Sequence, residues 1–201
     1  MKTLLCDVGN VIVHFNHQKA LEQVATCVGM EDEQAFRLME EHRLIDRLET
    51  GELTDQQFCE LALRHGSKAP DHDTILRAWC DMFDPIPEML DILATLKQRG
   101  IRLVALSNIS DANFRFLRDE HHLFDLFDAL ALSFEVGAMK PETAIFERAL
   151  ELAQCPPSEC FYIDDIVEYV EAAHYLGIDA EVHTTAAAFL EQLAERGMPM
   201  K

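Results

Sequence analysis

The chain is short of positive charge. Its 201 residues carry 17 Lys+Arg against 36 Asp+Glu, a formal net charge of −19. Tracking a nucleic-acid backbone or docking on anionic lipid both need clustered Lys and Arg, so neither partner is expected. Long apolar runs are also missing: no stretch approaches the ~20 residues that a spanning helix needs. After Met1-Lys2 the apolar residues are interrupted at Asp7, short of the roughly 7–15 that a secretory leader requires. Cys6, Cys27, Cys59, Cys80, Cys155 and Cys160 form no C-x-x-C pair and no zinc-like spacing with His. Reduced, packed thiols follow, and with them a cytoplasmic protein.

The rest of the composition is that of an ordinary globular chain, 49% hydrophobic and 26% charged. At this length roughly 70% of the unfolded surface can be buried. Thr3-Leu4-Leu5-Cys6 reads as a short buried strand ending at Asp7, broken by Gly9-Asn10 and followed by the apolar group Val11-Ile12-Val13. From about residue 16 to 83 the pattern is helical, with no strand signal. Asn16 is a candidate N-cap for a helix to Gly29, and one helix is expected over 31–48. Thr54 and Asp71 or Asp73 open two more. After Asp84-Pro85-Ile86-Pro87 the rhythm changes: strands at 101–106, 129–134, 161–163 and 178–183 alternate with helices. Pro141 is expected at the first position of one helix, and Thr185 caps the last. This predicts an α/β core of residues 1–15 and 84–201, a doubly wound parallel sheet, interrupted by a helical insert of residues 16–83.

In such folds ligands sit beyond the carboxyl ends of the strands. The residues placed there are Asp7, Ser107-Asn108, Lys140 after the 129–134 strand, and Asp164-Asp165. Three carboxylates brought together repel one another and raise each other's pKa. A cation removes that penalty, and an oxygen-only donor set points to Mg²⁺. Such a metal commonly holds a phosphate, with Ser107 and Lys140 as donors to its oxygens, and an Asp can attack phosphorus. Capping of a helix by Asp164-Asp165 is compatible with metal binding.

The blocks LLCDVGNVIV (4–13), LVALSN (103–108), KPETAIF (140–146), FYIDD (161–165) and EAAHYLGI (171–178) resemble, in order and spacing, those of the haloacid dehalogenase superfamily. The D-x-G-N form at 7–10 is similar to the branch that includes bacterial α-D-glucose-1-phosphatase. The stretch RLETGELT at 47–54 is similar to that branch's E-x-G-x-[IL]-[ST] signature. The resemblance implies a Rossmann-like core with a helical cap. It implies a phosphatase in which Asp7 is nucleophile and metal ligand, with Gly9 (through its carbonyl), Asp164 and Asp165 as further ligands. Ser107 would bind the phosphoryl group, Lys140 would hold it against Asp7, and Asn108 would sit at the mouth, near the substrate.

Three positions depart from the pattern. Gly9 stands where most relatives have an Asp that protonates the leaving group, Val11 stands for Thr, and Tyr169 stands for Asn. His14 is a candidate proton donor and substrate contact. Arg47, with Arg43 and His42, is a candidate for contacts to substrate hydroxyls. The expected function is Mg²⁺-dependent hydrolysis of a small phosphorylated metabolite, a sugar phosphate such as glucose 1-phosphate. The alternatives are a 2-haloacid dehalogenase, or a binding or regulatory protein that kept the fold without turnover.

Overall fold

The computed structural model describes residues 1–199. Five strands, β1 (Thr3–Cys6), β4 (Arg102–Ser107), β5 (Ala129–Leu132), β6 (Cys160–Asp164) and β7 (Asp179–Val182), form one parallel sheet ordered β5-β4-β1-β6-β7. The first strand is central because each later strand is added outward on one of its two sides. Alternation along β1 serves both faces. Leu4 and Cys6 point to a cluster with Leu103, Phe161 and Phe189, and Leu5 to another with Val104, Phe146 and Tyr162. Each fully buried Leu or Phe contributes about 1.5–3 kcal/mol.

The helices that cover this sheet are α6 (Pro87–Gln98), α7 (Asp111–His121), the single-turn α8 (Ser133–Val136), α9 (Thr143–Ala153), α10 (Val167–Tyr175) and α11 (Ala186–Glu195). The expected parallel α/β layers are present. Two expectations in this half are corrected. The strand predicted over 129–134 stops at Leu132, because Ser133 turns inward and exchanges hydrogen bonds with the Ile109 backbone, which opens α8. Pro141 is not the first helical residue: it follows a cis Lys140-Pro141 bond, and α9 begins only after its N-cap Glu142.

Between β1 and β4 lie α1 (His17–Val28), α2 (Asp32–Glu41), α3 (Leu44–Glu49), α4 (Asp55–His65) and α5 (His72–Cys80). Asn16 caps α1 through Lys19 N at 3.0 Å, and Thr54 forms a capping box with Gln57 on α4. Asp71, rather than Asp73, caps α5. These helices share one apolar cluster around Trp79, Phe58 and Ile75, joined by Ala112 of α7.

The single helix predicted over 31–48 is two. The chain breaks at Arg43, whose φ of +47° lies in the left-handed region, so the second piece swings to a new direction. The two crossings into and out of this block pair as a small antiparallel ribbon, β2 (Val13–Phe15) with β3 (Phe83–Pro85). Neither strand was expected. Among the described residues no helix is long and apolar enough to cross a membrane.

Candidate active site

The register of the sheet brings the predicted residues to one edge. Cys6 pairs with Ile163, so Asp7 and Asp164 leave adjacent strands side by side, with Asp7 N donating to Ile163 O at 3.1 Å. Ser107 ends β4 on the other flank of β1. This is the switch point of the sheet, where the carboxyl ends of strands diverge and leave a crevice.

Lys140 arrives from the loop after α8 and bridges the two acids. Its Nζ donates to Asp7 Oδ1 and to Asp164 Oδ2, both at 2.6 Å. All three are buried: Asp7 is 6% exposed, Lys140 3% and Asp164 0%. A buried ammonium with two carboxylates leaves one surplus negative charge, and an uncompensated buried charge is costly. Burial and the neighbouring Asp164 raise the Asp7 pKa to about 7, while Lys140 opposes the shift. Burial works against the charge on Lys140, but the two carboxylates hold its pKa above the ordinary value.

Asp165 lies beside this trio, partly buried, and accepts from Asn10 Nδ2 at 3.1 Å. One carboxylate oxygen each from Asp7, Asp164 and Asp165 fall within 4.8 Å of one another, a group that could hold a metal ion. With oxygen donors alone, the set suits a hard divalent cation.

Asn108 does more than line the mouth. Lys140 N donates to its Oδ1 at 2.8 Å, and its Nδ2 donates to Lys140 O at 3.2 Å. The side chain thus fixes the backbone that carries the lysine, and also donates to Tyr169 Oη at 3.4 Å. Tyr169 in turn places its ring 5.1 Å from Lys140 Nζ, a cation–π contact. Ser107 is buried, and its hydroxyl has only a long 3.4 Å contact to Asn108 O, leaving it free to turn to a ligand.

A cavity opens over this edge. It is lined by Val8, Gly9, Ser107, Asn108 and Ile109 from the ends of β1 and β4 and the loops after them, by the apolar Val13, Phe15, Phe83 and Leu117, and by the polar side chains of His17, Glu49 and Asn113. Two sequence candidates lie elsewhere. His14 is exposed on β2, because strand alternation turns it away from Val13 and Phe15. Arg47 sits 4.0 Å from Glu52 and does not line the cavity. Gly9 leaves no room for a larger residue as the site stands, since a Cβ there would lie 2.8 Å from Phe15 Cε1.

Four contributors were not singled out from sequence. Tyr162 donates its hydroxyl to Asp164, a pairing signalled only by the i, i+2 spacing on one strand. His17 stacks on Trp79 with centroids 5.8 Å apart, and burial lowers its pKa. Asn113 is buried with Oδ1 unpartnered. Glu49, at the end of α3, is lifted to a pKa of about 7 by burial, with smaller contributions from Asp46 and Asp7 against Lys140.

A parallel sheet with its acids and one lysine at the switch point defines a doubly wound α/β protein with a charged site at the carboxyl ends of its strands. Comparison with known sequences makes this specific: residues 1–177 match haloacid dehalogenase-like hydrolases, and the chain belongs to that family. It is 26% identical over 203 residues to a D-ribitol-5-phosphate phosphatase of Bacteroides thetaiotaomicron, covering 96% of this chain and 97% of that protein. It is 25% identical over 182 residues to the sesquiterpene phosphatase astK of Aspergillus oryzae, covering 88% and 87%. The fold overlays a haloacid dehalogenase family enzyme of B. thetaiotaomicron, crystallised with magnesium and inorganic phosphate, with a TM-score of 0.77 at 26% identity, covering 92% and 94%.

Proposed function

We propose that the chain is a Mg²⁺-dependent phosphatase of a small phosphorylated metabolite, working through a phosphoryl-aspartate on Asp7. The observation that carries this reading is the meeting of Asp7, Lys140 and the Asp164-Asp165 pair at one point of the sheet edge. The phosphatase names of full-length relatives, and the magnesium and phosphate bound by a structural neighbour, support it.

Asp7, Asp164 and Asp165 would hold the ion, with the Gly9 carbonyl as a further ligand. Bound there, Mg²⁺ would supply neutralisation of the negative charge on the phosphoryl oxygens. Asp7 as carboxylate attacks phosphorus in line with the leaving oxygen. Lys140 already donates to Asp7, so a phosphoryl group on that oxygen lies within reach of the same ammonium. Ser107 turns its hydroxyl from the long Asn108 contact to a phosphoryl oxygen. Asn108 and Tyr169 keep Lys140 in place while this happens. The burial of Asp7, Lys140 and Asp164 strengthens each of these charge contacts.

The substrate reading is a sugar phosphate such as glucose 1-phosphate, with His17 and Asn113 of the cavity lining as polar partners for hydroxyls. A second reading, the monophosphate of an apolar alcohol, is favoured by the wall of Val13, Phe15, Phe83 and Leu117. The test is turnover of an aryl phosphate, a sugar-phosphate panel and a prenyl phosphate, with and without Mg²⁺, beside Asp7→Asn. Metal-dependent release of phosphate, lost in Asp7→Asn, is expected. Hydrolysis of none of the three classes overturns the reading.

A further inference from the structure

Departure of an alkoxide from phosphorus needs a proton, and Gly9 has no side chain to supply one. Phe15 fills the space into which a residue at position 9 would project. A donor must therefore reach the cavity from elsewhere. Its polar side chains beyond the sheet edge are His17, Asn113 and Glu49. An amide is no acid, and burial lowers the affinity of His17 for a proton.

The stretch Glu49–Thr54 of the insert points to one of the three. Most of its positions have a structural use. Gly51 has a φ of +73°, and a Cβ there would come 2.8 Å from the carbonyl oxygen of Phe134 in α8. Only glycine allows both that turn and that approach. Leu53 is buried against the helical cluster, and Thr54 caps α4 with Gln57. Glu49 has no such role. Its neighbours Arg43 and Arg47 face Asp46 and Glu52 instead. What the motif does is dock the end of α3 on the core at Gly51 and thereby hold Glu49 over the cavity.

We propose that Glu49 is the general acid and base of the reaction, supplied by the helical insert in place of the residue missing at position 9. The proposal rests on the phosphatase reading above. The leaving oxygen takes the bonding electron pair as the P–O bond breaks and Asp7 Oδ bonds to phosphorus; Glu49 gives that oxygen its carboxyl proton. Glu49, now carboxylate, takes a proton from water as the water oxygen attacks the phosphoryl-aspartate. The bond from phosphorus to Asp7 breaks, Asp7 leaves as carboxylate, and Glu49 is again protonated. The products are an alcohol and inorganic phosphate. The charged groups whose field reaches Glu49 are Asp46 on its own helix and Lys140 and Asp7 at the sheet edge; Glu49 in turn acts on Tyr169 of α10, and His17 of α1 lines the same cavity. Burial places its pKa at about 7, close to the value at which one group serves both directions of transfer.

Dependence on the leaving group tests the role. kcat/KM for an alkyl phosphate and for p-nitrophenyl phosphate, whose phenolate leaves unprotonated, is measured for wild type, Glu49→Gln and Glu49→Asp with saturating Mg²⁺. Glu49→Gln should lose about 10²–10⁴-fold on the alkyl ester and under about 10-fold on the aryl ester, with Glu49→Asp between. Gly51→Ala, which displaces the α3 end, should lower alkyl turnover in wild type but add nothing in the Glu49→Gln background. Equal losses on both esters, or no loss, overturn the role of Glu49 while the phosphatase reading stands. A wild-type chain that hydrolyses neither ester overturns that reading and the proposal with it.

Discussion

Asn108 holds Lys140 by both of its backbone polar groups, accepting from the amide at 2.8 Å and donating to the carbonyl at 3.2 Å. The residue after Ser107 thereby ties β4 to the loop that delivers the lysine. Asn108→Ala leaves two backbone groups to find water and lets the ammonium drift. Activity should fall by about 10²-fold, the scale of a displacement near 1 Å. Stability should fall by about 1–3 kcal/mol. Steady-state kinetics and denaturant titration check both. Asn108→Asp should retain the amide contact to Lys140 N and lose less stability than Asn108→Ala.

Removing the lysine is a different experiment. In Lys140→Met two buried carboxylates, Asp7 and Asp164, face each other without their shared cation. In metal-free buffer the variant should lose about 3–5 kcal/mol, the cost of breaking a buried pair from one side. Added Mg²⁺ should raise its Tm more than it raises that of wild type, because the ion takes over part of the neutralisation. Thermal melts with EDTA and with Mg²⁺ give the comparison; an equal shift in both proteins contradicts it.

Metal removal should abolish turnover, and Mg²⁺ should restore it. Asp165→Asn keeps the hydrogen-bonding shape beside Asn10 but removes one charge from the cluster. The Mg²⁺ concentration for half-maximal activity should rise by about 10–100-fold, with smaller change in the substrate KM. Titration of activity against Mg²⁺ reads this directly.

Glu49 also predicts how stability depends on pH. Its pKa is raised from 4.5 to about 7, so the folded chain binds the proton more tightly than the unfolded chain does. The folded-state advantage is complete below about pH 4.5 and is lost as pH rises through 7. Glu49→Gln removes this dependence. It should be close to wild type in stability at pH 5 and more stable at pH 8.5. The gap should be ~1–2 kcal/mol after allowing for the partial exposure of the side chain. Denaturant titrations at the two pH values measure it.

The parts of this molecule that announce themselves in sequence are those where one residue type does one local job. Asn16, Thr54, Asp71 and Thr185 each cap the helix they precede. Asp7, Ser107 and Asp164 stand at strand ends, and a parallel sheet brings such ends together whatever the intervening loops. The features that were not legible depend on contacts between distant segments. Arg43 carries no sequence signal for a left-handed turn. β2 and β3 are three residues each and exist only because the two crossings lie side by side. His14 looked reactive by residue type, yet strand alternation points it away from the cavity. Glu49 was visible only as a letter in a motif, since its place in the cavity lining depends on how the end of α3 packs beside Phe134 of α8.

The most direct measurement is chemical quench of the wild-type protein during turnover of an accepted phosphate ester with Mg²⁺, followed by peptide mass analysis. One phosphoryl group on the peptide that carries Asp7 is the predicted result, lost on hydroxylamine treatment and absent from Asp7→Asn and from metal-free protein. Turnover that survives Asp7→Asn, or rapid turnover in which a quench during the first cycle finds no phosphoryl group on Asp7, would contradict it.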